Sequence, residues 1–526
     1  MDFNRRTLLS ALAATFAVGP VIVRAQGNSR RLIGALEEDP PMINPAVTSV
    51  VTSFASGTPC YSALTWISSK GELSPDLAER WEVSDDARSH TFHLRRNVTW
   101  HDGQPFTSAD VKFSLENVAS KIHPWGRGAF KMLERVDTPD EHTAVLRLTA
   151  PSASLMHATH NAMSAILPRH IWEGTEILKN PHNKQPVGTG PFKLVEYLPG
   201  DRIRYVRNEN FYFEGQPDFD EFILRIISDA AARVAAFENG EIDYLYSNAI
   251  PSSELQRISE MPGVKLVQTN VSAPAYLGII NMKNKPYDDV RVRQALAHAI
   301  DRKFLRDTIV PKYAENQIGP VPPSNPLFKA DLPDYAFDPG RAEALLNDAG
   351  YPRGSGGTRF DFRLLWPASD IRLTRIADIV HQNLAAVGIN VVLQPLERAT
   401  MFQRGFVGEA FDMLMESYSQ HADPDIGVER LYNSNNIHTP PLIYTNNSSY
   451  RNDEVDRLFD EQRVQTNPAQ RKETYARIQE IIWRDVPVLP LMAYYGVSAY
   501  RSDRVENALN AGDGNKDSFA RAKAVL

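Results

Sequence analysis

The sequence predicts an α/β protein built around a parallel crossover unit, and three consecutive stretches carry that expectation. FDFRLLW places Phe360, Phe362, Leu364 and Trp366 on one side of a strand. RLTRIADIVHQNLAAVG then sets Leu373, Ile376, Val380, Leu384 and Val387 on one helical stripe that stops at Gly388. INVVLQ resumes as a strand. Strand, helix and strand at this length join through a crossover, which gives parallel pairing. FDMLMESY, with Phe411, Met413 and Met415 alternating, reads as a further strand of the same sheet. Ligands of open sheets collect outside the carboxyl ends of the strands, which is where residues 367–371 and 417–425 fall. The second of these, SYSQHADPD, gathers hydroxyl, amide, imidazole and carboxylate groups and is the leading candidate for reading a small molecule.

The remaining elements follow from local signals. RLIGAL at 31–36 reads as a short strand ahead of the Pro-rich turn EEDPPMINP. Between about residues 58 and 184 come short strands and hairpins, with Thr91, Phe92, His93 and Leu94 alternating. Thr107 and Asp110 have the spacing of a capping pair for a helix carrying Val111, Leu115 and Val118. Asp338 and Pro339 open another helix that ends before Gly350. Val292, Leu296 and Ile300 form one apolar stripe, and Tyr475, Ile478 and Ile482 form a second that leads into the extended run VPVLPLMAYY.

At the N-terminus, Arg5 and Arg6 precede the apolar run LLSALAATFAVGPVIV and the small-x-small pattern of Val23, Arg24 and Ala25, the layout of an export signal removed after about residue 25. The run is too short to span a bilayer. The pair of arginines also resembles the twin-arginine motif, which leaves the export route open. A monomeric protein free in the periplasm is expected. Cys60 is the only cysteine, so a packed core rather than a disulfide must hold the chain. The formal charge of −7, without basic runs, argues against nucleic acid.

Motifs for catalysis or metal binding are weak. Gly188-Thr189-Gly190-Pro191 lacks the Lys and Ser/Thr of a phosphate loop, and Pro191 has no N–H for an oxyanion, so it reads as a turn. His157 and His160 have no third ligand nearby in sequence, and a G-x-S-x-G elbow is absent. Neither an enzyme nor a cofactor is expected. Asp423-Pro424-Asp425 reads mainly as a turn whose Asp side chain accepts backbone N–H groups and shapes the loop, and a hydrolase using Asp423 and Asp425 as acid and base is the catalytic alternative.

Five stretches in order, residues 77–118, 187–212, 238–243, 285–302 and 338–351, resemble the extracytoplasmic solute-binding proteins of ABC importers, family 5, whose members serve peptides, nickel and opines. The first, LAERWEVSDDARSHTFHLRRNVTWHDGQPFTSADVKFSLENV, matches the signature region of that family nearly end to end. The resemblance implies a two-lobe periplasmic-binding-protein fold of class II that closes on a ligand held between the lobes and presents it to an ABC permease. It places lobe I at 26–57, 186–271 and 489–526, an inserted α+β subdomain at 58–185 and lobe II at 272–488, with crossings near VQTNVSAPAYLGI and VPVLPLMAYY.

It also implies site residues. Peptide-binding members carry an Asp a few residues before a D-P-D turn. Counting back from Asp423, that position holds Gln420, and an upstream Trp is replaced by Ser417. A neutral amide does not supply the charge-assisted bond that a desolvated ammonium needs, although Asp423 itself can move into that role. Arg372 sits where relatives place an Arg against a ligand carboxylate, and a first-turn surface Arg is the competing reading. Trp366 and Tyr418 are candidate stacking faces, with a place in the core as the competing reading; His421 belongs to the same loop, and Glu37 or Glu38 faces it from the other lobe. Peptides stand first among expected ligands, ahead of opines, oligosaccharides and metal chelates.

Overall fold

The computed structural model of the protein describes residues 30–525 apart from 270, 272–273, 440, 442–443 and 513–516. The export signal expected at 1–25 lies outside the described residues. Two large sheets dominate. The first runs in the order Val264–Thr269, Gly496–Arg501, Tyr244–Leu245, Arg31–Leu36, Glu221–Ile226, Arg202–Arg207, Phe192–Leu198. The second runs Ala314–Glu315, Val488–Tyr494, Pro274–Ile280, Met413–Ser419, Phe360–Pro367, Ile389–Leu396.

The crossover unit forms as its pattern dictates. Phe360–Pro367 pairs in parallel with Ile389–Leu396 and with Met413–Ser419, and the helix Ile371–Ala386 connects the first two. Leu373, Ile376, Val380 and Leu384 are fully buried against Phe362, Leu364 and Trp366, so the stripe and the strand face bury each other. Gly388 ends the helix at φ +85°, a conformation that costs glycine little. A separate four-stranded antiparallel sheet, Ala78–Val83, Ser89–Leu94, Thr143–Leu148, Leu133–Asp140, has its own core around Phe92, Trp100 and Leu146. The expected Thr107–Asp110 capping box opens the helix beside it.

The chain passes between the large sheets twice. Val264–Thr269 belongs to the first and Pro274–Ile280 to the second, whereas Val488–Tyr494 and Gly496–Arg501 make the return with only Tyr495 between them. The connections therefore lie between Thr269 and Pro274 and at Tyr495. Gly188 and Gly190 pack so tightly on the backbone of Pro59 and Cys60 that a Cβ at either would collide with the Cys60 carbonyl. The GTGP turn is thus a packing contact. Among the described residues no helix is long and apolar enough to cross a membrane, and no group of three or more His, Cys, Asp and Glu is placed to hold a metal.

Candidate functional site

The carboxyl ends of the parallel strands from both sheets converge on one cleft of about 1100 Å³. From the first sheet come Glu37 and Glu38, just beyond Arg31–Leu36, and Ser247, Ile250, Ser252 and Leu255, beyond Tyr244–Leu245. From the second come Asp370 and Arg372, Arg398, Ser417 to Ser419, and Tyr494. Pro124, Trp125, Arg127 and Lys131 cover it from the four-stranded unit. The volume lies slightly above the 300–1,000 Å³ usual for a small-molecule pocket.

Arg372 stands on the first turn of its helix with its guanidinium over two tyrosine rings, 5.3 Å from the Tyr494 centroid and 5.9 Å from that of Tyr276. Those rings stack on each other at 5.1 Å. Asp370 caps the helix by accepting from the Arg372 and Leu373 amides, and its other oxygen accepts from the Tyr276 hydroxyl at 3.0 Å. Among the described residues no carboxylate lies within 4.0 Å of the Arg372 guanidinium, which stays available to an anion in the cleft.

Arg398 and Glu416 sit lower in the same wall, with Arg398 Nη1 donating to Glu416 Oε2 at 3.0 Å and the Ser417 amide donating to Oε1 at 2.8 Å. Burial pushes the Glu416 carboxyl up to about 7, against the opposing pull of Arg398. Across the cleft, Glu37 has a buried Oε2 with no hydrogen-bond partner, and burial raises its pKa while Arg233 opposes the rise. A carboxylate left with an empty acceptor position on a cleft wall is suited to a cationic donor.

Of the residues expected from sequence, Glu38, Arg372, Ser417 and Tyr418 line this cleft. The Tyr418 ring is itself buried; it packs edge-on to Tyr444 at 5.4 Å and lies beneath Arg430, so it supports the wall rather than offering an open face. Four expectations are corrected. Trp366 is 2 % exposed in the core of the second sheet, with Nε1 donating to Thr374 Oγ1 at 3.1 Å. Gln420 is buried beneath the turn, where Gly427 lies against its carbonyl, and it does not reach the cleft. His421, at φ +53°, packs edge-on to Trp125 at 4.3 Å and lines a separate small cavity. Asp423 accepts the Asp425 amide and receives both arms of the buried Arg471 guanidinium at 2.7 Å, which consumes its charge inside the protein.

The sequence reading also missed contributors. Tyr276, Tyr494, Arg398, Glu416 and Arg430 come from separate strands and loops, and only the fold brings them together. Glu416 had a usable signal as the one charged residue inside the buried run from Met413 to Tyr418. Arg398 had another, two residues beyond the end of Ile389–Leu396.

Comparisons with known proteins agree with this architecture. Residues 72–439 match the model of bacterial extracellular solute-binding proteins, family 5. Heme-binding protein A of Haemophilus influenzae is 29% identical over 472 residues, covering 85% of this chain and 84% of that protein. The dipeptide-binding protein of Escherichia coli is 28% identical over 431 residues, covering 77% and 78%. A Helicobacter pylori periplasmic binding protein in complex with the peptide STSA superposes with a TM-score of 0.80 at 24% identity, covering 94% of this chain and 98% of that one. Strands from two sheets that open onto one shared cleft, together with a family match over most of the chain, lead to one conclusion: this protein belongs to the family 5 extracellular solute-binding proteins and is a substrate-binding component of an ABC importer.

Proposed function

We propose that the protein captures a zwitterionic, peptide-class solute in the periplasm, with the ligand carboxylate on Arg372 and the ligand ammonium on Glu37 and Glu38, and releases it unaltered to the permease. The observation that carries this reading is the opposition of charges across the cleft: a guanidinium without an acid on one wall, and a buried carboxylate oxygen without a donor on the other. Each wall alone offers half of the contacts. A ligand that gains both only when the walls approach shifts the population toward the closed form by that difference in affinity. The dipeptide-binding relative of E. coli supports the peptide class. Members of the family serve as binding components of transporters, and the cleft carboxylates fit that role by holding charge rather than by moving protons.

The test is a thermal-shift and scattering series on the mature protein with di- and tripeptides, their N-acetylated and C-amidated forms, haem and agropinic acid. A ligand at 100 times its Kd stabilises by about 2.7 kcal/mol. Free peptides are expected to raise the Tm and compact the protein, whereas blocking either terminus should weaken both effects. If haem or agropinic acid binds while free peptides do not, the peptide class is wrong. If a bound peptide is recovered cleaved, the transport reading is wrong.

A further inference from the structure

A second guanidinium in the cleft wall also lacks an acid. Arg430 donates Nε to the Gly427 carbonyl at 3.2 Å, Nη1 to the Tyr444 carbonyl at 3.0 Å and Nη2 to the Ser419 carbonyl at 3.2 Å, and its Cζ lies 5.6 Å from the centroid of the Tyr418 ring. No carboxylate among the described residues lies within 4.0 Å of it. Arg372 shares this property, whereas two other arginines of the cleft are paired. Arg398 holds Glu416, and Arg463 holds Asp425, Glu429 and Asp460.

Three carbonyls fix the plane of Arg430 but do not neutralise it, and an arginine has five N–H donors, so two remain. Arg430 is half-buried, and a partly desolvated cation without a counter-ion is costly; the usual solutions are an internal acid or a ligand that brings one. Here the internal acid is missing while the group faces the cleft. The three anchoring carbonyls belong to the strand end at Ser419, the turn at Gly427 and the segment at Tyr444, so three separate segments orient the fork toward the cleft. Arg127 and Lys131 on the covering unit add positive charge to the same cleft.

We propose that Arg430 is an anion subsite separate from Arg372, so that the preferred solute carries two acidic groups and one ammonium, as an acidic peptide does. This inference rests on the peptide-class reading above and narrows it.

The experiment uses matched pairs that differ by one carboxylate, Ala-Glu against Ala-Gln, Glu-Ala against Gln-Ala, and Ala-Ala-Glu against Ala-Ala-Gln, measured by calorimetry on the wild type, Arg430→Met and Arg430→Lys. The wild type is expected to prefer the acidic member of at least one pair by about tenfold or more. Arg430→Met should reduce that ratio to within about threefold, and Arg430→Lys, which keeps the charge and loses the fork, should fall between. Loss of the carbonyl anchors alone weakens both members of a pair equally and leaves the ratio unchanged, so a ratio retained in Arg430→Met overturns the proposal. Equal binding of both members by the wild type also overturns it, while leaving peptide capture intact. Failure of every peptide to bind overturns the peptide-class reading and the subsite together.

Discussion

Replacing Asp423 with Ala separates a structural carboxylate from a ligand-binding one. The side chains of Asp423 and Arg471 are 4 % and 11 % exposed, and their two bonds of 2.7 Å form a fork-to-fork pair. Arg471 also donates to Gln462, whose amide donates to Asp425, and Asp425 accepts from Ser154 in the four-stranded unit. Removing one member of such a pair leaves a buried charge unpaired and costs about 3–5 kcal/mol. In a unit of the size expected for lobe II, each kcal/mol shifts the Tm by about 2–4 °C, so the variant should melt about 6–20 °C lower. Arg471→Met in the same background should recover part of the loss, because the stranded cation is gone. Arg471 holds the Asp423 carboxyl below its ordinary range against the upward push of burial, so the pair stabilises above the unfolded-state value and fades as pH falls through the folded-state value. Scanning calorimetry and peptide titration check this together. A variant that keeps its Tm but loses ligand affinity would refute the argument, since Asp423 would then be spending its charge on the solute.

The other predictions concern the cleft and its frame. Arg372→Met should weaken peptides with a free carboxylate by about 2–5 kcal/mol in calorimetry, with much smaller effects on their amides; equal losses would show that the residue merely shapes the wall. Glu37→Gln should weaken binding of free peptides and leave N-acetylated ones unchanged, as read by the same titration. Because the folded-state value of Glu416 is raised to about 7, its contribution to stability is greatest below the unfolded value near 4.5 and declines as pH rises from there to about 7; Glu416→Gln should flatten that segment of the pH profile of unfolding. Gly188→Ala should destabilise the protein strongly through the Cys60 carbonyl, with thermal melting as the readout, whereas a phosphate-loop role would leave stability intact.

Periodicity made the crossover unit legible because Phe362, Leu364 and Trp366 and the stripe from Leu373 to Leu384 bury one another, and mutual burial imposes the spacing. Helix caps at Thr107 and Asp338 were equally local, since each satisfies an amide only three residues away. The cleft was legible in part. Arg372 and Ser417 follow from the rule for carboxyl ends of strands, but the same rule does not reveal which side chains at a turn point inward. Trp366 failed as a ligand face because its side of the strand is the helix-packed side. Gln420, His421 and Asp423 failed because the turn after Met413–Ser419 folds into the protein, drawn there by Arg471 and Trp125, residues distant in sequence. Arg430 carried no signal, because the carbonyls that aim it come from three different segments.

The return passage between the sheets has a mechanical consequence. With Tyr495 alone between the end of one strand and the start of the next, the two bodies are tethered there within about 7–8 Å, two residue steps of a trans chain. Sliding and wide separation are thereby denied to them. What remains is rotation about a line through that tether, like covers turning on a spine, and each productive gape of the mouth must be a swing that leaves residues near Tyr495 almost stationary.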